Sequence, residues 1–123
     1  MPVKVVDASA LGALIFDEPA AERLAEELSG AKLIAPALIH FELSSICLKK
    51  IHNHPFKKSR LLTAFEMAGR LSIETVEVEH VEVIELAERT RLSTYDASYL
   101  WLAQKAGANL VTLDKRLEKA FAK

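Results

Sequence analysis

Residues 3–16 read Val-Lys-Val-Val-Asp-Ala-Ser-Ala-Leu-Gly-Ala-Leu-Ile-Phe, and this stretch decides the fold class. Val3–Val6 is short, β-branched and nearly all apolar, which is typical of a strand covered on both faces, as in parallel sheets. Asp7 ends the strand, and residues 8–16 have a helix-forming composition. A buried strand followed at once by a helix predicts an α/β protein.

The same alternation recurs along the chain. Further strands are predicted at residues 32–35, 72–78 and 109–113. Helices are predicted at residues 19–30, from residue 36 to about 51, at 56–69, from 81 to about 91, at 95–106 and from about 115. This order predicts a three-layer α/β/α sandwich with a mostly parallel central sheet, formed by a single domain over residues 1–123. All strand carboxyl ends then lie on one edge, where ligands bind.

Composition narrows the class of protein. Half of the 123 residues are hydrophobic, and 17 acidic residues against 16 basic ones give a net charge of -1, which disfavours tight, indiscriminate RNA binding by the whole surface. The longest stretches without Asp, Glu, Lys or Arg hold nine residues, whereas a membrane span needs roughly 20. With no secretory signal at the N-terminus, we expect a cytoplasmic protein. Cys47 is the only cysteine, which excludes an intrachain disulfide and a Cys-based zinc site.

Four carboxylates are candidates for the ligand edge. Asp7 and Asp114 directly follow predicted strands, Asp96 lies in the first turn of a helix, and Glu42 lies in the helix after the second strand. Each also has a structural explanation, since the aspartates suit helix caps and a glutamate suits a solvated helix face. If the four converge, two charges about 4 Å apart cost roughly 4 kcal/mol at an effective dielectric of 20. A hard divalent cation, Mg²⁺ or Mn²⁺, would offset that repulsion and suits phosphate chemistry.

Three hydroxyl side chains accompany the aspartates. Ser9 follows Asp7 by two residues, while Thr94 and Thr112 each precede an aspartate by two. These hydroxyls could orient the carboxylates or bind a phosphate, and each also suits an ordinary cap or turn.

Four segments together resemble the PIN domain family, specifically the VapC-type toxins of toxin-antitoxin pairs. They are Val5-Val-Asp-Ala-Ser-Ala10, Glu42, Ser93-Thr-Tyr-Asp-Ala-Ser-Tyr99 and Leu110-Val-Thr-Leu-Asp114. The resemblance implies a metal-dependent endoribonuclease in which Asp7, Glu42, Asp96 and Asp114 form the acidic metal site. It also implies RNA products with 5′-phosphate and 3′-hydroxyl ends, a homodimer, and a VapB-like antitoxin that covers the active-site groove.

A basic segment lies between the second and third acidic positions. Residues 43–65 contain no acidic residue and five basic ones: Lys49, Lys50, Lys57, Lys58 and Arg60. Such a run is often a solvated helix face, and here it could equally lead an RNA backbone toward the carboxylates. The near-neutral net charge therefore conceals a basic segment beside an acidic site.

Two other classes of protein are compatible with the alternating pattern. A phosphoacceptor receiver domain would need adjacent acidic residues after the first strand and an Asp after the third, and neither is present. A catalytically silent PIN-like module would bind RNA or protein without cleaving it. The intact acidic quartet favours the nuclease.

Overall fold

The computed structural model describes residues 1–123 and contains one four-stranded sheet. The strands are β1 (Val3–Val6), β2 (Lys32–Pro36), β3 (Ile73–Val76) and β4 (Asn109–Val111). They run in the order β3-β2-β1-β4, and every neighbouring pair is parallel. The predicted parallel sheet is confirmed, and its strand order differs from that of receiver domains.

Seven α-helices and one 3-10 turn connect the strands. The helices are α1 (Ala8–Ile15), α2 (Ala21–Leu28), α3 (Ile39–Asn53), α4 (Lys58–Ala68), α5 (His80–Thr90), α6 (Thr94–Ala106) and α7 (Lys115–Ala122), and the 3-10 turn is Pro55–Lys57. Helices α1 to α4 pack with one another, and α6 packs with both α5 and α7. Because right-handed crossovers in opposite directions cover opposite faces of a sheet, the two groups form the outer layers of an α/β/α sandwich. None of these helices is both long and apolar enough to cross a membrane.

Element boundaries depart from the sequence prediction by a few residues. The third strand is shorter than residues 72–78 and the fourth ends at Val111 rather than Leu113. Helix α3 begins three residues later than predicted, at Ile39, and continues to Asn53. Its end fits Pro55, which lacks a backbone N–H and forms the following 3-10 turn.

The core surrounds the central strand. Val5 and Val6 are fully buried because β1 has a strand on each side and a helix layer on each face. Gly12 of α1 lets α3 approach closely, since a Cβ there would lie 3.3 Å from Cδ1 of Ile46. This close approach holds the helix that carries Glu42 against the helix that begins after Asp7.

The sheet has a topological switch point between β1 and β4. The chain moves outward from β1 to β2 and β3, and then crosses back to place β4 on the other side of β1. In open parallel sheets the crevice at such a point, outside the strand carboxyl ends, is the usual ligand site. Asp7 and Asp114 follow the two strands that border this crevice.

Candidate active site

A pocket at the carboxyl edge of the sheet brings the four predicted acidic residues together. Asp7, Glu42, Asp96 and Asp114 all line it, together with Ser9 and Tyr99. The remaining lining residues are small, apolar or neutral: Ala8, Leu38, Phe41, Ser45, Ile46 and Tyr95. Because no lysine, arginine or histidine lines the pocket, its fixed charge is entirely negative.

Asp7 both caps helix α1 and lines the pocket. It is only 5% exposed and is the N-cap of α1, where its Oδ1 accepts a hydrogen bond from the backbone N–H of Ala10 at 3.0 Å. The same oxygen accepts from the Ser9 hydroxyl at 2.7 Å, and Oδ2 accepts from the Thr112 hydroxyl at 2.5 Å. Asp7 therefore caps α1 and lines the pocket at the same time.

Thr112 and Ser9 join the ends of β1 and β4. The Thr112 hydroxyl lies 3.3 Å from the Ser9 hydroxyl and also accepts from the backbone N–H of Asp114 at 3.0 Å. Ser9 Oγ in turn accepts from the backbone N–H of Leu113 at 2.9 Å. These bonds fix the Asp7 carboxylate relative to the loop that carries Asp114. Thr112 and Ser9 thus occupy the positions of carboxylate-orienting hydroxyls.

Asp114 and Asp96 each lie at the start of a helix. Asp114 is the N-cap of α7, and its Oδ1 accepts from the backbone N–H groups of Arg116 and Leu117 at 2.9 and 3.2 Å. Asp96 is the third residue of α6, which Ser93 caps by accepting from the Asp96 backbone N–H at 3.1 Å. The Asp96 carboxylate lines the pocket, and a hydrogen bond with the Ser93 hydroxyl acts to lower its pKa.

Glu42 has a partner that the sequence analysis missed. The hydroxyl of Tyr99 on α6 donates to Glu42 Oε1 at 2.5 Å, across 57 positions of sequence. Burial, followed by the bond to Glu42, raises the pKa of the Tyr99 phenol, so that it remains a donor. The signal that could have identified Tyr99 is its spacing from Asp96, since residues three apart lie on one helix face.

The pocket disfavours negative charge. Burial is the main cause that raises the pKa of the Asp7, Glu42 and Asp96 carboxyls above their ordinary values. Repulsion adds to it: Asp114 raises the pKa of Asp7 and of Asp96, and Asp96 and Asp7 raise that of Glu42. Arg116 acts in the opposite direction, on Asp96. A bound cation would offset this repulsion between the carboxylates and favour their charged forms.

These shifts predict an unusual pH dependence of stability in metal-free protein. A carboxyl whose pKa is raised by folding binds its proton more tightly in the folded state than in the unfolded state. Its contribution to the free energy of unfolding therefore falls as pH rises, from about pH 4, where the unfolded carboxyl ionises, through the raised folded pKa. In chelator we expect these carboxyls to lower the melting temperature as pH rises above about 4. A smaller difference in Asp96→Asn would assign the effect to the pocket, and no difference in wild-type protein would contradict it.

The other predicted polar residues lie outside the pocket. Thr94 is exposed at the first position of α6 and does not line the pocket. None of Lys49, Lys50, Lys57, Lys58 and Arg60 lines it either. Lys50 instead pairs with Glu18 at 2.7 Å and lies 5.6 Å from the ring centroid of Phe16, at the opposite end of α1 from Asp7. Lys50 thus lies at the far end of that helix from Asp7.

The chemistry of the pocket fits a hard divalent cation. Its charged donors are carboxylate oxygens alone, the type that Mg²⁺ and Mn²⁺ prefer. The side chains surround the pocket without closing on one point, since no three Asp, Glu, His or Cys residues form a ready-made ligand group. The donor set and its mutual repulsion therefore support a metal site, while its coordination geometry is not preformed.

The fold and site define a class: an α/β/α sandwich with an acidic, nuclease-type pocket at the carboxyl edge of a parallel sheet. The PIN domain family profile matches residues 4–122. The chain belongs to the PIN domain family, as the motifs around Asp7, Asp96 and Asp114 predict. The receiver-domain alternative was wrong.

Known relatives are similar along nearly their whole length. Ribonuclease VapC9 of Mycobacterium tuberculosis is 37% identical over 122 residues, covering 92% of this chain and 87% of that protein. Ribonuclease VapC3 of Pyrobaculum aerophilum is 29% identical over 122 residues, covering 95% and 93%. These relatives place the chain with the VapC-type PIN domains.

A solved structure supports the fold. The crystal structure of PAE2754 from Pyrobaculum aerophilum superposes with a TM-score of 0.79 at 24% identity, covering 97% of this chain and 84% of that one. The three-layer architecture predicted from the alternating pattern is therefore confirmed.

Proposed function

We propose that this chain, as one domain over residues 1–123, is a VapC-type endoribonuclease, the toxin of a toxin-antitoxin pair that hydrolyses RNA phosphodiester bonds. One observation carries the proposal: four carboxylates from distant parts of the sequence meet in one pocket that holds no basic side chain. The similarity to proteins named ribonuclease VapC supports it.

The proposed metal ligands are Asp7, Asp96 and Asp114, with Glu42, and the proposed ion is Mg²⁺ or Mn²⁺. When bound, such an ion polarises phosphoryl oxygens, lowers the pKa of a bound water and stabilises the leaving oxygen. Ser9 and Thr112 hold the Asp7 carboxylate in place through their hydroxyls. Glu42 Oε2 has no hydrogen-bond donor within the protein, so it is available to accept a proton from an attacking water.

The proposed function is tested with purified protein and a mixed-sequence RNA. We expect cleavage with Mg²⁺ or Mn²⁺, none with excess chelator, and recovery when the ion is restored. Sequencing the RNA ends would identify the cleavage sequence and is expected to show 5′-phosphate products. A folded protein that binds RNA but cleaves none at any divalent ion concentration would favour a catalytically silent PIN-like module instead.

The proposed protein partner is a VapB-like antitoxin. A pocket with four carboxylates and no basic lining is complementary to an arginine or lysine side chain, so an antitoxin segment that inserts one would neutralise the site. We expect co-expressed antitoxin to suppress cleavage and to protect the pocket from solvent exchange.

We also propose a homodimer. Helix α3 leaves Phe41 and Leu48 exposed, and α5 leaves Val81 and Ile84 exposed, so both helices carry apolar surface that association would cover. Light scattering of the purified chain at micromolar concentration is expected to give twice the mass of 13.6 kDa.

The basic segment makes a separate prediction about RNA affinity. Replacing Lys49, Lys57, Lys58 and Arg60 with glutamine should weaken RNA binding and flatten its salt dependence, by a slope of about 0.7 for each lost phosphate contact on single-stranded RNA. Lys50 is left unchanged because it pairs with Glu18. Binding titrations at several salt concentrations measure the effect, with Lys105→Gln and Lys119→Gln as controls. An unchanged slope would show that the basic segment does not contact the RNA.

A further inference from the structure

The hydrogen bond between Tyr99 and Glu42 links helix α6 to helix α3. Tyr99 is 1% exposed and ranks first in size among the fully buried side chains, yet its hydroxyl reaches the pocket to donate to Glu42 Oε1 at 2.5 Å. Glu42 is half-buried, and its carboxylate receives no other hydrogen bond. The phenol is therefore the one group in the protein that fixes the orientation of this carboxylate.

We infer that Tyr99 is a positioning residue: its hydroxyl holds Glu42 so that Oε2 faces the metal and water site. This inference deepens the proposed function and rests on it. Asp7 is fixed by three donors and Asp114 by two, whereas the Glu42 carboxylate would have no hydrogen-bond donor without Tyr99.

Packing alone does not account for a tyrosine at this position. A phenylalanine would fill the same core space with the same aromatic area, and burying a hydroxyl costs free energy unless it is hydrogen-bonded. The hydrogen bond to Glu42 offsets that cost, and this bond is stronger when the Glu42 carboxylate is charged. Partners that orient metal-site ligands in this way change metal affinity or activity about 10 to 100-fold when they are removed.

A double-mutant cycle on metal affinity tests the inference. Mn²⁺ binding to wild-type protein, Tyr99→Phe, Glu42→Gln and the double variant is measured by calorimetry without RNA, and cleavage is measured separately. Trp101→Phe is the matched control, because it removes another donor on α6, the indole N–H that bonds exposed Glu82 at 2.8 Å outside the pocket. Thermal unfolding of each variant shows that the domain remains folded.

We expect Tyr99→Phe to weaken Mn²⁺ binding about 10-fold or more and to have little further effect in Glu42→Gln, because Tyr99 acts through that residue. Trp101→Phe should bind Mn²⁺ as wild type does. Unchanged Mn²⁺ affinity in Tyr99→Phe, or the same loss whether or not Glu42 is intact, would overturn the inference while leaving the proposed nuclease standing. Wild-type protein that neither binds Mn²⁺ nor cleaves RNA would overturn both.

Discussion

Asp96→Asn is expected to abolish RNA cleavage in a protein that remains folded. Asp96 lines the pocket with its carboxylate, and an amide is a poorer metal ligand that carries no charge. Loss of one ligand removes several kcal/mol of transition-state stabilisation, on the order of 10³-fold in rate. Cleavage of a labelled RNA under single-turnover conditions measures the loss.

The same variant should not be less stable than wild type in chelator. Burial and the repulsion from Asp114 disfavour the charged form of Asp96, so a neutral side chain relieves both. We also expect Mn²⁺ to raise the melting temperature of wild-type protein more than that of Asp96→Asn. Glu88→Gln, an equal charge change on the exposed surface of α5, is the control. Metal-dependent cleavage retained by pure Asp96→Asn protein would refute the site assignment.

Thr112→Val is expected to destabilise the fold and to impair cleavage together. Valine matches threonine in shape, yet the change removes the donor to Asp7 Oδ2 and the acceptor of the Asp114 backbone N–H. Thr112 is 8% exposed, so water does not readily replace these bonds. Leaving a buried carboxylate oxygen without its donor should lower the free energy of unfolding by about 3 kcal/mol. That corresponds to a fall of about 10 °C in melting temperature.

Urea and thermal unfolding measure this loss, and two variants serve as controls. Thr63→Val makes the same chemical change where the hydroxyl bonds only the Ser59 carbonyl on exposed α4, and should cost little. Thr112→Ser keeps the hydroxyl and should recover most of the cleavage. If Thr112→Val unfolds and cleaves as wild type does, the hydroxyl network does not hold Asp7 in place.

The sequence predicted those parts of the molecule that local pattern controls. β1 was identified with its bounds because four consecutive residues carry the signature of a doubly covered strand, and Asp7 followed as its end. Asp114 was placed on the same edge because parallel strands share the direction of their carboxyl ends. The helix predicted at residues 95–106 agrees with α6 within one residue, and the structure places its caps at Ser93 and Gly107.

Local sequence patterns do not predict contacts between helices that are distant in sequence. The Tyr99 to Glu42 bond depends on how α3 and α6 meet at the edge of the sheet, so spacing along α6 can place Tyr99 on the face of Asp96 but cannot identify Glu42 as its partner. Thr94 and Thr112 each stand two residues before an aspartate, yet only Thr112 bonds a pocket carboxylate, that of Asp7, because a strand end and a helix start direct their side chains differently. Lys50 lies on the same helix as Glu42, yet its ammonium pairs with Glu18 at the far end of α1 from Asp7.

The strand order has a consequence for synthesis of the protein. Asp7 emerges from the ribosome first, yet its neighbour β4 and the hydroxyl of Thr112 come more than 100 residues later. A nascent chain that ends before residue 109 has no second wall for the crevice and no donor for Asp7 Oδ2. If the proposed site residues carry the cleavage reaction, a nascent chain gains activity only after β4, Thr112 and Asp114 have been translated, close to the end of synthesis.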